Sequence, residues 1–384
     1  MVKGAIKFFL VACVLSLNVI QAQVRFVINF NTGWKFYLGN DSTASNEKFN
    51  DASWRSLNLP HDWSIESDFI KDAPATNQGG SLPGGIGWYR KTFTVPASAK
   101  NKNVSIEFDG VYKNSEVWIN GNYLGKRPYG YINFSYDLTP YLFFDKPNVI
   151  AVKVDNSQQP DSRWYTGSGI YRDVKLVAYN NIFISESGTF ITTPVADKVS
   201  ATLEITTVLN TVHKKNQAIS VVYGVYNNKG QLVKKLNPVE FNLYFEGSAL
   251  VKKIVIDKPL LWSVNSPNLY TLKTSIFQKG KLLDEVSTSF GIRSFYFDAQ
   301  KGFFLNNHPL KIKGVCIHHD LGALGAAFNK DATKRQLKIL KEMGFNAIRF
   351  SHNPPASAML DLCDEMGFLV IDEAFDIWKK KKNK

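Results

Sequence analysis

The sequence predicts a mostly β chain that changes character near residue 298, where a short parallel α/β segment begins. Three observations carry this expectation. The aromatic load of 27 Phe, 16 Tyr and 8 Trp suits pleated surfaces, where flat side chains pack well. Alternating apolar and polar runs, separated by turn residues, fill the first 290 residues. Beyond them the tetrapeptide Glu-Met-Gly-Phe occurs at 342–345 and again at 365–368, so one helix–turn–strand unit is repeated.

With 384 residues, 44% of them hydrophobic, the chain has enough material for two or three domains with separate cores. The first 22 residues read as an export signal. Lys3 and Lys7 form a positive start, Phe8 to Ile20 an apolar stretch too short to span a bilayer comfortably, and Ala22 a small residue before the cleavage point. A lipobox reading at Leu10-Val11-Ala12-Cys13 is weaker, because the apolar stretch continues past the cysteine. The protein is therefore expected to be periplasmic or secreted, without a membrane span. The two remaining cysteines, Cys316 and Cys363, make no disulfide framework and are expected to be buried as small hydrophobes. A net charge of +13 raises nucleic-acid binding, but the lysines are scattered and no nucleic-acid motif accompanies them.

Residues 23–180 are expected to form the first domain, a sandwich or jelly roll. "VSIEFDGVYKNSEVWINGNYLG" holds two alternating runs and a hairpin signal at Asn120-Gly121, where both central residues need positive φ. Residues 181–297 continue in β style, with turns at Asn227–Gly230 and at Lys279-Gly280. Roughly seven strands in this length fit an immunoglobulin-like sandwich. Residues 298–384 open with a hairpin in "FFLNNHPLKIKGV". "ATKRQLKILKEMG" then places Leu337, Leu340 and Met343 on one helical face and stops at Gly344. "FNAIRF" is a strand, "ASAMLDLCDEMG" a second helix ending at Gly367, and "FLVIDE" a further strand. Such repetition means a parallel sheet with helical crossovers, either a barrel or a doubly wound sheet. With "LKIKGVCI" counted, three of the eight strands of a barrel are present.

Functional residues of parallel α/β folds collect where strands end. Here those ends carry His318-His319-Asp320, then Arg349 with Ser351-His352, then Asp372-Glu373. Asp372 and Glu373 are neighbours on a strand and point to opposite faces, so at most one enters a pocket, and they do not form an acid/nucleophile couple. The same alternation leaves only His318 and Asp320 on one face, which weakens a metal site there. No P-loop, dinucleotide fingerprint or nucleophile elbow occurs, so neither cofactor nor metal is called for. In the first domain, "DNSQQPDSRWYTGSGIYRDV" combines carboxylate, guanidinium and aromatic groups, the chemistry that sugars prefer.

The stretch "NAIRFSHNPPASAMLDLCDEMGFLVIDE" resembles the signature of glycoside hydrolase family 2, the family of β-galactosidases, β-glucuronidases and β-mannosidases. The match runs through Asn346, Arg349, Ser351-His352, Pro354, Asp364 and Gly367. Phe350 departs where a small residue is usual, and Asn353 stands where tyrosine is common. "WRSLNLPHDW", "GWYRKTF", "DGVYKNSEVWINGNYLG" and "RWYTGSGIYRDV" are similar to that family's sugar-binding domain. The resemblance implies a jelly-roll sugar-binding domain, an immunoglobulin-like sandwich and the first three βα units of a TIM barrel. It also implies retaining hydrolysis of a terminal β-glycoside by two glutamates, with a carbohydrate as the partner and carbohydrate catabolism as the setting. The acid/base glutamate of the family follows an asparagine. The only Asn-Glu pair of this sequence, Asn46-Glu47, lies in the first domain, so both catalytic glutamates are expected beyond Lys384 and the chain is expected to be an inactive fragment. By position, Asp161, Arg163 and Trp164 of the first domain are expected to reach the sugar. His318, His319, Asp320, Arg349, His352, Asp372 and Glu373 are expected around its pocket. A β-galactosidase is the preferred reading; a β-glucuronidase, a β-mannosidase or a non-catalytic carbohydrate- or partner-binding β-sandwich protein are the alternatives. The oligomeric state is not legible.

Overall fold

Among the described residues, antiparallel pairing organises the strands from Phe26 to Pro309. The computed structural model describes residues 24–160, 162–245 and 247–376; the expected export signal, Asp161 and the lysine-rich end at 379–384 lie outside them.

The first sandwich packs a four-stranded sheet on a six-stranded one. The smaller sheet orders its strands 26–29, 174–179, 103–108 and 134–137; the larger runs 55–57, 34–38, 85–93, 148–156, 115–119 and 122–127. Alternation delivers the core: Val104, Ile106 and Phe108 from one sheet meet Val117, Ile119, Ile150, Val152 and Val154 from the other, all nearly excluded from solvent. The hairpin at Asn120-Gly121 takes positive φ at both residues, 51° and 80°, as its sequence requires.

The second sandwich holds eight strands where about seven were expected. A three-stranded sheet (182–196, 200–211, 248–257) faces a five-stranded one built on 217–226, 269–278 and 281–291, with 232–235 and 239–243 pairing along 217–226. Leu203, Ile205 and Leu209 pack against Val221, Tyr223 and Leu272. The turn expected at Asn227–Gly230 joins strand 217–226 to the short strand 232–235, which is exposed throughout.

A small antiparallel sheet of strands 295–298, 302–305 and 308–309 leads into the parallel segment. There Gly314–Ile317, Ala347–Phe350 and Leu369–Asp372 pair in parallel. The crossovers are helix α1, Lys330–Glu342, and helix α2, Ser357–Met366. Both helices pack on one face of the sheet, where Leu337, Ile348, Phe350, Met359 and Leu362 form the core. The opposite face carries Cys316, Arg349 and Ile371 and stands open.

Helix α1 begins at Asn329, whose side chain accepts from the Ala332 N–H at 2.9 Å. Its expected apolar stripe is only partly realised. Leu337 is buried and Leu340 packs on the core, but Met343 is exposed because it lies past the last helical residue. Gly344 follows with φ 88°, the left-handed turn that ends the helix. Cys363 is buried, whereas Cys316 is exposed, contrary to expectation. It sits on the open face of the sheet, and alternation turns it away from the helices.

Candidate active site at the strand ends

The three parallel strands end side by side, and the residues just beyond them form a shallow basin. Arg349 and Glu373 project to the open face. The Arg349 guanidinium donates through Nε to Glu373 Oε1 at 2.8 Å and ion-pairs through Nη2 at 2.6 Å. His352 Nδ1 donates to the other carboxylate oxygen at 2.8 Å. Partial desolvation raises the Glu373 carboxyl, but the hydrogen bonds from His352 and Arg349 outweigh it and hold the group below the ordinary glutamate value. Glu373 is therefore an acceptor at neutral pH and fixes the His352 ring with its Nε2 edge left for another partner. Arg349 Nη1 also reaches Ser351 Oγ at 3.3 Å.

His318 lies beside this triad, its Nδ1 donating to the Ser351 carbonyl at 2.6 Å. Trp164, from the long loop of the first sandwich, lies flat on the His318 ring, with centroids 5.4 Å apart and planes 10° apart, and meets His352 edge-on at 5.4 Å. The indole N–H is anchored on the Tyr131 hydroxyl at 3.1 Å. Arg163 crosses to the end of the third strand and pairs with Asp376 at 3.2 Å, while the Tyr129 hydroxyl donates to the Ala374 carbonyl at 2.7 Å. Two domains thus build one wall.

Not every expected residue faces the basin. His319 turns the other way: Nε2 donates to the Thr166 carbonyl at 2.9 Å, and the ring meets Tyr131 and Tyr171 edge-on. Burial, with Arg172 and His318 nearby, pushes its pKa down to about 4. Asp372 follows the helix-side residues Phe350 and Val370 in register. Desolvation raises its carboxyl, and Arg172 partly offsets this. Asp320 is half-buried behind the basin, where burial, then Asp62 and then Asp320 push the Tyr165 hydroxyl up.

The residues that sequence reasoning passed over are those that dock the first sandwich on the strand ends. Buried Asp62 accepts from the N–H groups of Ser64, Ser168 and Ala326 at 3.0, 2.9 and 2.8 Å, and from the Tyr165 hydroxyl at 2.5 Å. Desolvation still raises its carboxyl. A Cβ on Gly325, at φ 58°, would fall 2.4 Å from Asp62 Oδ2, so glycine is required for this approach. Buried Arg172 donates to the carbonyls of Tyr131 at 3.0 Å and Pro354 at 2.8 Å. Asp62 lies within "WRSLNLPHDW" and Arg172 within "RWYTGSGIYRDV", but both contacts join residues far apart in sequence, which no local pattern reveals. Among the described residues no three metal-ligating side chains converge, and no helix is long and apolar enough to cross a membrane.

Comparison with known proteins places this geometry. Residues 29–180 match the glycosyl hydrolase family 2 sugar-binding domain, 182–293 the next domain of the same family, and 299–378 its TIM barrel domain. The chain belongs to glycosyl hydrolase family 2. A β-galactosidase of Bacteroides ovatus is 50% identical over 354 residues, which is 92% of this chain and 42% of that protein. A putative β-glucuronidase of Formosa agariphila is 42% identical over 94% of this chain and 34% of its own length. Among solved structures, a family 2 member from Bacteroides cellulosilyticus superposes with a TM-score of 0.90 at 38% identity, covering 93% of this chain and 47% of that one. A β-glycosidase from Bacteroides vulgatus gives 0.85 at 47% identity, covering 93% and 45%. The chain therefore spans about two fifths of the curated relatives it matches. Within the family's architecture, the parallel segment is a partial TIM barrel and the basin lies at its strand C-termini, the end that carries chemistry in such barrels.

Proposed function

We propose that the basin is the terminal-sugar subsite of an exported, retaining β-glycosidase most like a β-galactosidase, and that the whole protein hydrolyses terminal β-glycosides in carbohydrate catabolism. One observation carries this reading: Trp164 is stacked on His318 directly beside the Arg349–Glu373–His352 network. An aromatic face suits the C–H surface of a sugar, and an ionised carboxylate with imidazole edges suits its hydroxyls. Export rests on residues 1–22, and a role for Asp161 at the sugar on its place two residues before Arg163.

A neutral sugar fits better than a uronate. Arg349 is engaged by Glu373 and Arg163 by Asp376, so a sugar carboxylate would have to displace an ion pair at either guanidinium. Retaining chemistry needs two carboxyls about 5–5.5 Å apart on either side of the scissile bond. Glu373 is held in an ion pair, and Asp372 is aligned with the other face. We therefore assign neither the nucleophile nor the acid/base to these residues and expect no turnover from the 384-residue chain alone.

Calorimetric titration of the chain with galactose, glucuronate and mannose tests the subsite: galactose is expected to bind most tightly, and a preference for glucuronate would replace this reading. Chromogenic β-galactoside tests the chemistry. Turnover by the purified 384-residue chain would show that the catalytic pair is present after all.

A further inference from the structure

Behind the basin lies a second, partly open space of about 30 Å³ between the strand ends, α1 and the first sandwich, with His318 also in its lining. Its wall is largely apolar, with Phe350, Ala356 and Met359 among its residues. Four of its lining residues nevertheless contribute a solvent-shielded polar atom with no partner in the protein: His319 Nδ1, Thr333 Oγ1, Gln336 Oε1 and Asn353 Nδ2. Thr333 and Asn353 are only 2% and 4% exposed. Leaving one such atom unpaired costs about 1–3 kcal/mol, so four around one cavity is a pattern to be explained jointly.

The hydrogen-bonding roles of the four atoms can be assigned. His319 Nε2 faces the Thr166 carbonyl, which can only accept, so Nε2 carries the proton and Nδ1 presents a lone pair. Gln336 Oε1 also accepts, Asn353 Nδ2 donates, and the Thr333 hydroxyl rotates to donate. The set is two acceptors and two donors with no net charge, and the two charged residues that also line the space, Arg172 and Asp320, are of opposite sign. A cation would meet the Asn353 N–H group, which can only donate, and an anion would meet the two lone pairs of His319 and Gln336. A molecule that donates twice and accepts twice satisfies all four, and water is the one that the volume admits: one water needs at least about 10–15 Å³.

We propose that this cavity is a binding site for one resident water molecule, donating to His319 Nδ1 and Gln336 Oε1 and accepting from Asn353 and Thr333. His319 and Asn353 each directly follow a histidine of the basin, His318 and His352. The water ties the backs of both loops to α1 and acts as a positioning element for the two rings in front. The site rests on the polar atoms alone and stands whether or not the basin binds a sugar.

A crystal structure of the full chain at high resolution tests this. The expected result is a single peak about 2.7–3.2 Å from all four atoms, unchanged after a rubidium soak. Absence of density there, or an anomalous rubidium peak, overturns the proposal. Thr333→Val removes one donor at nearly equal volume. Amide exchange at 318–321 and 351–353 is expected to rise about tenfold, the loss of roughly one hydrogen bond's net worth, with the second sandwich unaffected. Equal exchange rates in both proteins would refute the positioning role.

Discussion

The two sandwiches are alike in architecture but grip opposite ends of the same helix. The N-terminus of α2 has no cap of its own, since Ala356 offers no side-chain acceptor. The first sandwich supplies one: Asp109 accepts from the Ser357 hydroxyl at 2.6 Å and from its N–H at 3.3 Å, placing a carboxylate at the positive end of the helix dipole. At the other end, the Trp262 indole of the second sandwich donates to the Asp364 carbonyl at 2.9 Å. The Val264 backbone packs so closely on Gly367 that a Cβ there would meet its carbonyl oxygen at 2.5 Å. One sandwich therefore meets the strand C-termini, where the basin lies, and the other meets the strand starts. The difference teaches a division of labour: contacts of the first shape the site, and contacts of the second hold the parallel segment in place.

Breaking the second grip has the largest expected effect. Trp262 is fully buried, with Arg293 over its ring at 4.6 Å. Trp262→Ala is expected to cost about 3–5 kcal/mol of unfolding free energy, read by denaturant melts, while sugar affinity in the protein that remains folded is unchanged. A variant that kept its stability but lost affinity would reverse the proposed division.

The first grip is sensitive to pH. His319, wedged between the first sandwich and the barrel segment, has a folded pKa of about 4 against 6.5 for the free side chain. A histidine depressed on folding contributes stability that is fully present above pH 6.5 and lost as pH falls toward 4. The native state binds the proton more weakly than the unfolded chain over that window. The linkage amounts to about 3 kcal/mol. Denaturant melts of the wild type are expected to show this loss between pH 6.5 and 4, and His319→Phe to lack it. Parallel pH profiles would show that the ring is not buried as neutral imidazole.

Asp109→Ala sharpens the comparison at α2 itself. Loss of a borrowed cap is expected to cost about 1 kcal/mol, chiefly as faster amide exchange in the first turn of the helix. Equal acceleration at both ends of α2 would mean that the helix responds as one unit to either sandwich.

Much of the fold was legible in sequence, but unevenly, and the division between the sandwiches was not. Hairpins announced themselves because Asn120-Gly121 and Lys279-Gly280 carry the backbone chemistry of their turns, and both adopt positive φ. The glycines at 344 and 367 marked the ends of both helices. Strand alternation correctly separated Asp372 from Glu373. It also set His319 on the face opposite His318, but it could not show what holds the ring there, because its partner Thr166 lies 153 positions away. Asp62, Asp109 and Arg172 were invisible for the same reason: each has a partner on another domain, Ala326, Ser357 and Pro354 respectively. Met343 was misplaced by a periodic stripe carried one residue past the helix end.

The smallest effect is expected where the two domains meet in water. The Arg163–Asp376 pair spans 3.2 Å, with the arginine side chain 42% exposed. Exposed pairs of this kind contribute about 0–1 kcal/mol, since solvent screens them and two side chains must be held in place. Arg163→Ala is therefore expected to leave the melting temperature nearly unchanged at ordinary ionic strength. Trp164, however, sits next to it and lies on His318, so freeing the loop end should loosen the indole where a sugar would stack. Galactose affinity is expected to fall by a few fold without a stability change, on the scale of part of an aromatic contact. If stability fell with affinity intact, Arg163 would belong with the anchoring contacts of the second sandwich, and the assignment of the first sandwich to shaping the basin would lose its most exposed member.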